Sequence, residues 1–145
     1  SRAETAMKTS VRNQFAGIIV SIVEGPANAE IGVMVNGMQI ITASITHESC
    51  RELKLQVGSK VFALIKASSV QLAAKAAASG RNSFNARVQA VIRGEQRSEI
   101  TTGVAEGLAL VSTLANADIE RLGLSVGKPV VATFEPSSVM IGVAA

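Results

Sequence analysis

The chain has 145 residues, 48% of them hydrophobic, which predicts about one soluble globular domain; its apolar runs are too short for a membrane span, and no charged and then apolar leader precedes them. A single cysteine, Cys50, excludes a disulfide framework, leaves the lone His47 without zinc-ligand partners and fits a reducing cytoplasm. The net charge of +3 does not form a basic face, because residues 10–73 carry five Lys/Arg against four Asp/Glu and residues 79–145 carry six of each. With no Trp or Tyr and four Phe to stack on bases, we expect no direct contact with nucleic acid and none with a membrane.

Short runs rich in Val and Ile predict strands over residues 17–23, 29–35, 38–45, 60–66 and 70–73. Turn residues separate these runs, and Asn36-Gly37 is the strongest two-residue hairpin signal among them. One helix is predicted from His47 to Leu53, with Thr46 as its N-cap and Ser49 three residues later. An alanine-rich stretch over residues 74–78 is interpreted as a linker.

The chain repeats itself at an offset of 69 residues without a gap. Ser10, Arg12, Asn13 and Phe15 recur as Ser79, Arg81, Asn82 and Phe84, and Ser68-Ser69-Val70 recurs as Ser137-Ser138-Val139. We therefore predict a mainly β protein of two tandem OB-like, five-stranded β-barrels with one short helix each, over residues 8–73 and 79–145. Because each module alone is small, we expect the two to pack together and the chain to form a homo-oligomer, either a dimer or a trimer.

The sequence does not predict an enzyme. It has one histidine, no Asp in its first copy, no glycine-rich phosphate loop and no paired His/Cys spacing. His47 is interpreted as a solvated residue at a helix start, and Cys50 as a small buried apolar residue.

Hydroxyl and cationic donors remain in the first copy: Ser10, Arg12, Thr46, Ser49, Lys66 and Ser68. Such donors without an acceptor favour a tetrahedral oxyanion that carries no proton, so molybdate, tungstate and sulfate qualify and hydrogen phosphate does not. On residue types alone we favour the simpler interpretation, that these side chains are caps and surface residues.

The opening Thr9-Ser10-Val11-Arg12-Asn13-Gln14-Phe15 resembles the start of the molbindin (Mop or TOBE-type) molybdate-binding module. Segments that resemble the same family in order and spacing are Glu24-Gly25, Asn28 to Ile31, Ile45 to Ser49, Leu53 to Leu55 and Ile65 to Ser68. The resemblance covers about residues 8 to 143 and implies a bound molybdate or tungstate, with sites formed where neighbouring modules meet. It implies that the oxyanion-binding residues are Ser10, Arg12, Thr46, Ser49, Lys66, Ala67 and Ser68, completed by Ser79 and Arg81 of the second copy, with no directly bound metal ion.

The second copy departs from this pattern, because Ala115, Asp118 and Glu135 stand where the first has Thr46, Ser49 and Lys66. Two carboxylates would repel a dianion, so we expect the half-site formed by these residues of the second copy to be silent or altered. The resemblance allows two roles: the sensing half of a molybdenum-responsive transcriptional regulator, or a stand-alone storage protein. Residues 2–7 resemble the end of a helix from an upstream domain, which favours the regulator, whereas Met7 as a natural start would favour storage. A third interpretation is an assembly module whose pockets have decayed.

Overall fold

The computed structural model of the chain describes residues 12–36, 38–76, 80–105 and 107–144. In these residues the strands are β1 (Arg12–Glu24), β2 (Asn28–Val35), β3 (Gln39–Thr46), β4 (Lys60–Lys66), β5 (Gln71–Ala73), β6 (Asn82–Ile92), β7 (Arg97–Ala105), β8 (Leu108–Ala115), β9 (Pro129–Phe134) and β10 (Val139–Gly142). The helices are α1 (His47–Glu52) and α2 (Asn116–Leu122), and two 3₁₀ turns span Ala67–Ser69 and Pro136–Ser138. The prediction of a mainly β fold with two five-stranded sheets and one short α-helix per repeat is confirmed.

The ten strands form two antiparallel sheets, ordered β10-β4-β1-β2-β3 and β5-β9-β6-β7-β8. Each sheet takes four strands from one sequence repeat and its last strand from the other. The chain accordingly divides into two compact units. The first unit comprises Gln14–Ile65 and the residues from Glu135 onward; the second comprises Lys66–Phe134 together with Asn13.

The exchanged strands β5 and β10 both follow a 3₁₀ turn that ends in the same pair of serines. In the second unit β5 pairs with β9, with Leu72 opposite Ala132. In the first unit β10 pairs with β4, with Val139 opposite Ile65. The exchange therefore places each 3₁₀ turn in the unit built mainly from the other repeat.

The core of the first unit follows the alternation that a half-buried strand requires. In β4, Val61, Ala63 and Ile65 point inward and are at most 2% exposed, while the residues between them lie nearer the surface. Ile31 and Ile41 from neighbouring strands are equally buried. Each fully buried Val or Ile side chain among them contributes about 1.5–3 kcal/mol.

The core of the second unit is more polar than that of the first. Ser98, Thr102 and Ser112 are at most 3% exposed, and their counterparts in the first repeat are Ala29, Val33 and Ala43. Thr102 donates to the carbonyl of Leu110 at 3.4 Å, whereas the Ser112 hydroxyl has no partner among the described residues. Because an unpaired buried hydroxyl costs free energy, Ser112 is a weak point of this unit.

Strand β1 is longer than the predicted run of residues 17–23, since it begins at Arg12 and ends at Glu24. A bulge between Ile19 and Ser21 shifts its register, and β6 carries the equivalent bulge between Val88 and Ala90. The predicted start of β3 at Met38 lies instead in the hairpin turn, because Val35 pairs with Gln39. No helix of the described residues is long and apolar enough to cross a membrane.

Candidate functional site

In the first unit the end of β3 and the start of α1 bring two hydroxyl side chains together. Thr46 is the N-cap of α1, and its Oγ1 accepts a hydrogen bond from the Ser49 backbone N at 3.1 Å. The same Thr46 hydroxyl donates to the Ser49 Oγ at 2.9 Å. Since each hydroxyl has a single hydrogen, the hydrogen of Ser49 is left to point at a further acceptor. The predicted helix start is confirmed, and its two hydroxyls form one donor unit.

His47, the residue after the N-cap, holds the turn between β1 and β2. Its Nε2 lies 2.7 Å from the Gly25 carbonyl oxygen, and its Nδ1 lies 3.5 Å from the Glu24 carboxylate. The equivalent residue in the second repeat, Asn116, donates from Nδ2 to the carbonyl of Gly94 at 3.0 Å. Because a different side chain type makes the same contact in the second repeat, His47 is a structural clamp of this turn. It lies at the helix start as predicted, but its side chain is 24% exposed and engaged with the turn rather than solvated. Cys50, on the same helix, is a free thiol of intermediate burial.

The 3₁₀ turn that packs against β3 in the first unit comes from the second repeat. It is Pro136–Ser138, and Glu135 is its N-cap. Glu135 therefore belongs to the unit that contains Thr46 and Ser49, and not to the unit that contains its own repeat's Asp118. The structure does not bring Asp118 and Glu135 together in one unit.

In the second unit the predicted ligands Lys66, Ala67 and Ser68 open the first 3₁₀ turn, which packs against β8. Ala67 is 1% exposed, whereas Lys66 and Ser68 are exposed. The structure thus places Lys66, Ala67 and Ser68 in one unit and the Thr46–Ser49 pair in the other.

Ser68 forms part of the wall of a cleft of about 320 Å³ in the second unit. The other side chains along this cleft come from β5, β7, β8 and α2. They include Arg97, Thr113, Asp118 and Arg121. Arg97 donates from Nη2 to the Thr113 carbonyl at 2.8 Å, and Arg121 donates from Nη2 to Asp118 Oδ1 at 3.2 Å.

Asn13, from the opening motif, is anchored in the second unit. Its Nδ2 donates to the Val111 carbonyl at 3.0 Å, and its Oδ1 accepts from the Val111 N at 2.7 Å. The side chain is 4% exposed, so this amide imitates a neighbouring strand. The opening motif is thereby tied to β8, the strand against which the turn with Lys66 also packs.

The remaining predicted ligands are only partly described. Arg81 lies in the second unit and donates from Nη2 to Gln71 Oε1 at 3.3 Å. Arg12 begins β1, but its side chain lies outside the described residues, as do Ser10 and Ser79 altogether. Among the described residues no group of three or more His, Cys, Asp or Glu is placed to hold a metal ion.

A family model for the TOBE domain matches the chain twice, over residues 9–72 and 78–141. The chain belongs to the TOBE domain family. The resemblance that the sequence motifs indicated is confirmed, and it extends over both copies.

Relatives of this TOBE chain are found among proteins named for molybdenum. Over 95% of its length it is 39% identical to the molybdenum transport protein ModE of Herbaspirillum seropedicae and 34% identical to that of Azotobacter vinelandii. It spans about half of each of these relatives, 52% of their length. A probable molybdenum-pterin-binding protein of Haemophilus influenzae is 38% identical over 66 residues, which are 96% of that protein and 46% of this chain.

Among solved structures, the fold matches a crystal structure of the cytoplasmic molybdate-binding protein ModG with molybdate bound. The TM-score is 0.88 at 32% sequence identity, over 95% of this chain and all of that one. A match of this extent covers both TOBE copies at once.

Sequence reasoning missed Arg97 and Arg121 of this TOBE chain. Their counterparts in the first repeat are Asn28 and Glu52, so a search for matching residues between the copies passes over them. A search for equivalent positions at which the charge changes between the two copies could have found them.

Proposed function

We propose that this chain binds molybdate or tungstate as an intact oxyanion, through the Thr46–Ser49 hydroxyl pair. The observation that carries the proposal is the hydrogen-bond arrangement of that pair, in which the two hydroxyls share one hydrogen bond and one of their two hydrogens is left for a ligand. A tetrahedral oxyanion without a proton offers only acceptors, which matches such a donor. The relatives named for molybdenum and the molybdate-bound ModG structure support the same ligand.

The site needs more donors than the first unit supplies. Lys66, Ala67 and Ser68 belong to the second unit, which also holds Asn13 of the opening motif. We propose that a homo-oligomer brings these donors of one copy to Thr46 and Ser49 of another. A Lys66 ammonium beside the dianion would supply the positive charge that hydroxyl groups lack.

We propose a binding role and not catalysis. The imidazole of His47 is the one side chain of its kind in the sequence, and it is engaged with the Gly25 carbonyl at 2.7 Å. A general base needs a free ring nitrogen within reach of a substrate proton, and this ring also has Glu24 at 3.5 Å.

For the biological setting we propose the sensing half of a cytoplasmic molybdenum-responsive transcriptional regulator. The similarity to two ModE proteins over 95% of this chain and about half of theirs supports this setting. The alternative is storage of molybdate, supported by the full-length match to ModG. Deleting the gene and measuring transcripts of molybdate-uptake genes at low and high molybdate separates the two, because only loss of a regulator uncouples the transcripts from molybdate.

Binding itself is tested by equilibrium dialysis of the wild type and of Lys66→Ala against molybdate. The wild type should bind, and the variant should bind at least about tenfold more weakly because it lacks one charge-assisted hydrogen bond. Equal binding by both proteins, or no binding by the wild type, would reject this site. The second result would favour the assembly-module interpretation.

A further inference from the structure

We propose that the cleft of the second unit is a separate oxyanion site that selects an anion carrying a proton, namely inorganic hydrogen phosphate. This cleft lies between the first 3₁₀ turn, β7, β8 and α2, and it is lined by Ser68, Arg97, Thr113, Asp118 and Arg121. Thr46 and Ser49 lie in the other unit, whereas Ser68 is shared with the donors proposed above for molybdate, so the recognition argued here rests on Arg97, Asp118 and Arg121.

The cleft carries cations that the first repeat lacks at the same positions. Arg97 replaces Asn28, and Arg121 replaces Glu52. Arginine presents several N–H donors in a planar fork that fits phosphate and carboxylate oxygens. Two such forks along one cleft are a binding arrangement for an oxyanion of more than one charge.

Both arginines are held in place by one of their own nitrogens. Nη2 of Arg97 is held by the Thr113 carbonyl at 2.8 Å, and Nη2 of Arg121 by Asp118 at 3.2 Å. Because these contacts use one nitrogen of each guanidinium, other N–H groups remain for a ligand. Fixing the side chains in advance lowers the entropy that binding would cost.

The strand exchange decides the charge of this cleft. Glu135, the second repeat's counterpart of Lys66, belongs to the first unit, while Lys66 precedes the turn that forms the cleft wall. Asp118 forms an ion pair with Arg121. Two other carboxylates lie near the cleft. Glu99 of β7 lies opposite Thr113 of β8, and Glu120 forms an ion pair with Arg93 at 3.7 Å. Among the residues that line the cleft, Arg97 and Arg121 outnumber Asp118, so the lining carries one net positive charge.

Asp118 then sets which oxyanion can enter. A carboxylate is an acceptor only, so it repels an oxyanion made only of acceptors, such as sulfate or molybdate. Hydrogen phosphate carries one P–OH group, which can donate to the Oδ2 of Asp118 while its other oxygens accept from the arginines and Ser68. Ser49, the counterpart of Asp118, is a donor, so the two repeats would select opposite protonation states.

The test is a titration of the ¹⁵N-labelled full chain with phosphate and with sulfate near neutral pH, followed by amide chemical shifts. Sulfate has the size of phosphate but no proton. Phosphate should shift the amides of Arg97, Thr113 and Asp118, and sulfate should not. Shifts centred on Thr46 and Ser49, equal shifts with both anions, or no shifts with phosphate would overturn the proposal.

Two variants separate recognition from folding. Arg97→Ala should weaken phosphate binding by about tenfold or more through the loss of a charge-assisted contact. Its matched control is Arg87→Ala, on neighbouring β6, where the arginine likewise donates to a carbonyl, that of Gly127 at 3.0 Å, but lies outside the cleft. The control should keep wild-type affinity, and a loss equal to that of Arg97→Ala would contradict the assignment.

Asp118→Ser installs the residue of the first repeat. It should abolish the preference for phosphate over sulfate, because the acceptor for the P–OH group becomes a donor. A preference that survives this change would overturn the role of Asp118. A further arm at about pH 5.5 uses phenyl phosphate, an ester that still carries a proton there. If phenyl phosphate binds more weakly than inorganic phosphate, the ligand is the free anion. If it binds more tightly, the ligand is instead the phosphate group of a larger molecule.

Discussion

The most informative single change is Ser49→Asp, which copies Asp118 of the second repeat into the first. Ser49 Oγ lies 2.9 Å from Thr46 Oγ1, so a carboxylate there would stand within one hydrogen-bond length of the proposed ligand position. Two unit charges about 4 Å apart interact by about 4 kcal/mol near a protein surface, and the dianion doubles this repulsion before salt screens it. We expect molybdate affinity to fall by more than about 100-fold, which corresponds to about 3 kcal/mol.

The same change should leave the fold intact. Position 49 is the third residue of α1 after its N-cap Thr46, and a negative charge in the first turn of a helix stabilises it by about 0.3–1 kcal/mol. The melting temperature without ligand should therefore stay equal to that of the wild type or rise. A variant that loses binding because it unfolds would instead melt earlier.

The assay is isothermal titration with molybdate beside a melting curve without ligand, for the wild type, Ser49→Asp and Ser49→Ala. The alanine variant loses one hydrogen bond and adds no charge, so its affinity should lie between the other two. Wild-type affinity in Ser49→Asp would refute the assignment of this hydroxyl to the oxyanion. Equal losses in both variants would refute the electrostatic argument.

Three further changes test the fold that positions the site. Ser112→Ala removes the unpaired buried hydroxyl and should raise the free energy of unfolding by about 1 kcal/mol in a urea melt; a decrease would show that the hydroxyl has a partner. Asn13→Ala should lower it by about 2 kcal/mol, since two hydrogen bonds to Val111 are lost, and an unchanged melt would contradict the anchor. His47→Asn should change the free energy of unfolding by less than about 1 kcal/mol and leave molybdate affinity unchanged, because Asn116 makes the equivalent contact with Gly94 in the second repeat. A loss of molybdate affinity would assign the imidazole to the ligand.

Local structure was predictable wherever hydrophobic alternation and capping act over a few residues. The predicted strand of residues 60–66 has the bounds that the structure shows, and the predicted helix begins at His47 as expected and ends at Glu52, one residue before the predicted Leu53. Strand β1 was predicted too short, because Gly17, the bulge after Ile19 and the polar residues at its start interrupt the alternation. Such interruptions change the sequence pattern without ending the hydrogen-bonded strand.

The strand exchange could not be predicted from the sequence. Val70 and Val139 occupy equivalent places after the same pair of serines, so local propensity is the same whichever sheet accepts the strand. The choice depends on packing between residues far apart in the chain. This choice also decides the candidate sites, because it separates Lys66 from Thr46 and Ser49 and separates Glu135 from Asp118.

Binding of oxyanions without a proton at the first-repeat hydroxyls can be followed by thermal shift. The melting temperature is recorded for the wild type and Ser49→Asp with molybdate, tungstate, sulfate and phosphate at equal concentration, since a ligand that binds only the folded state raises it by mass action. We expect the melting temperature of the wild type to rise with molybdate and with tungstate, and that of the variant not to rise. No rise with either anion, or the same rise in the variant, would contradict it.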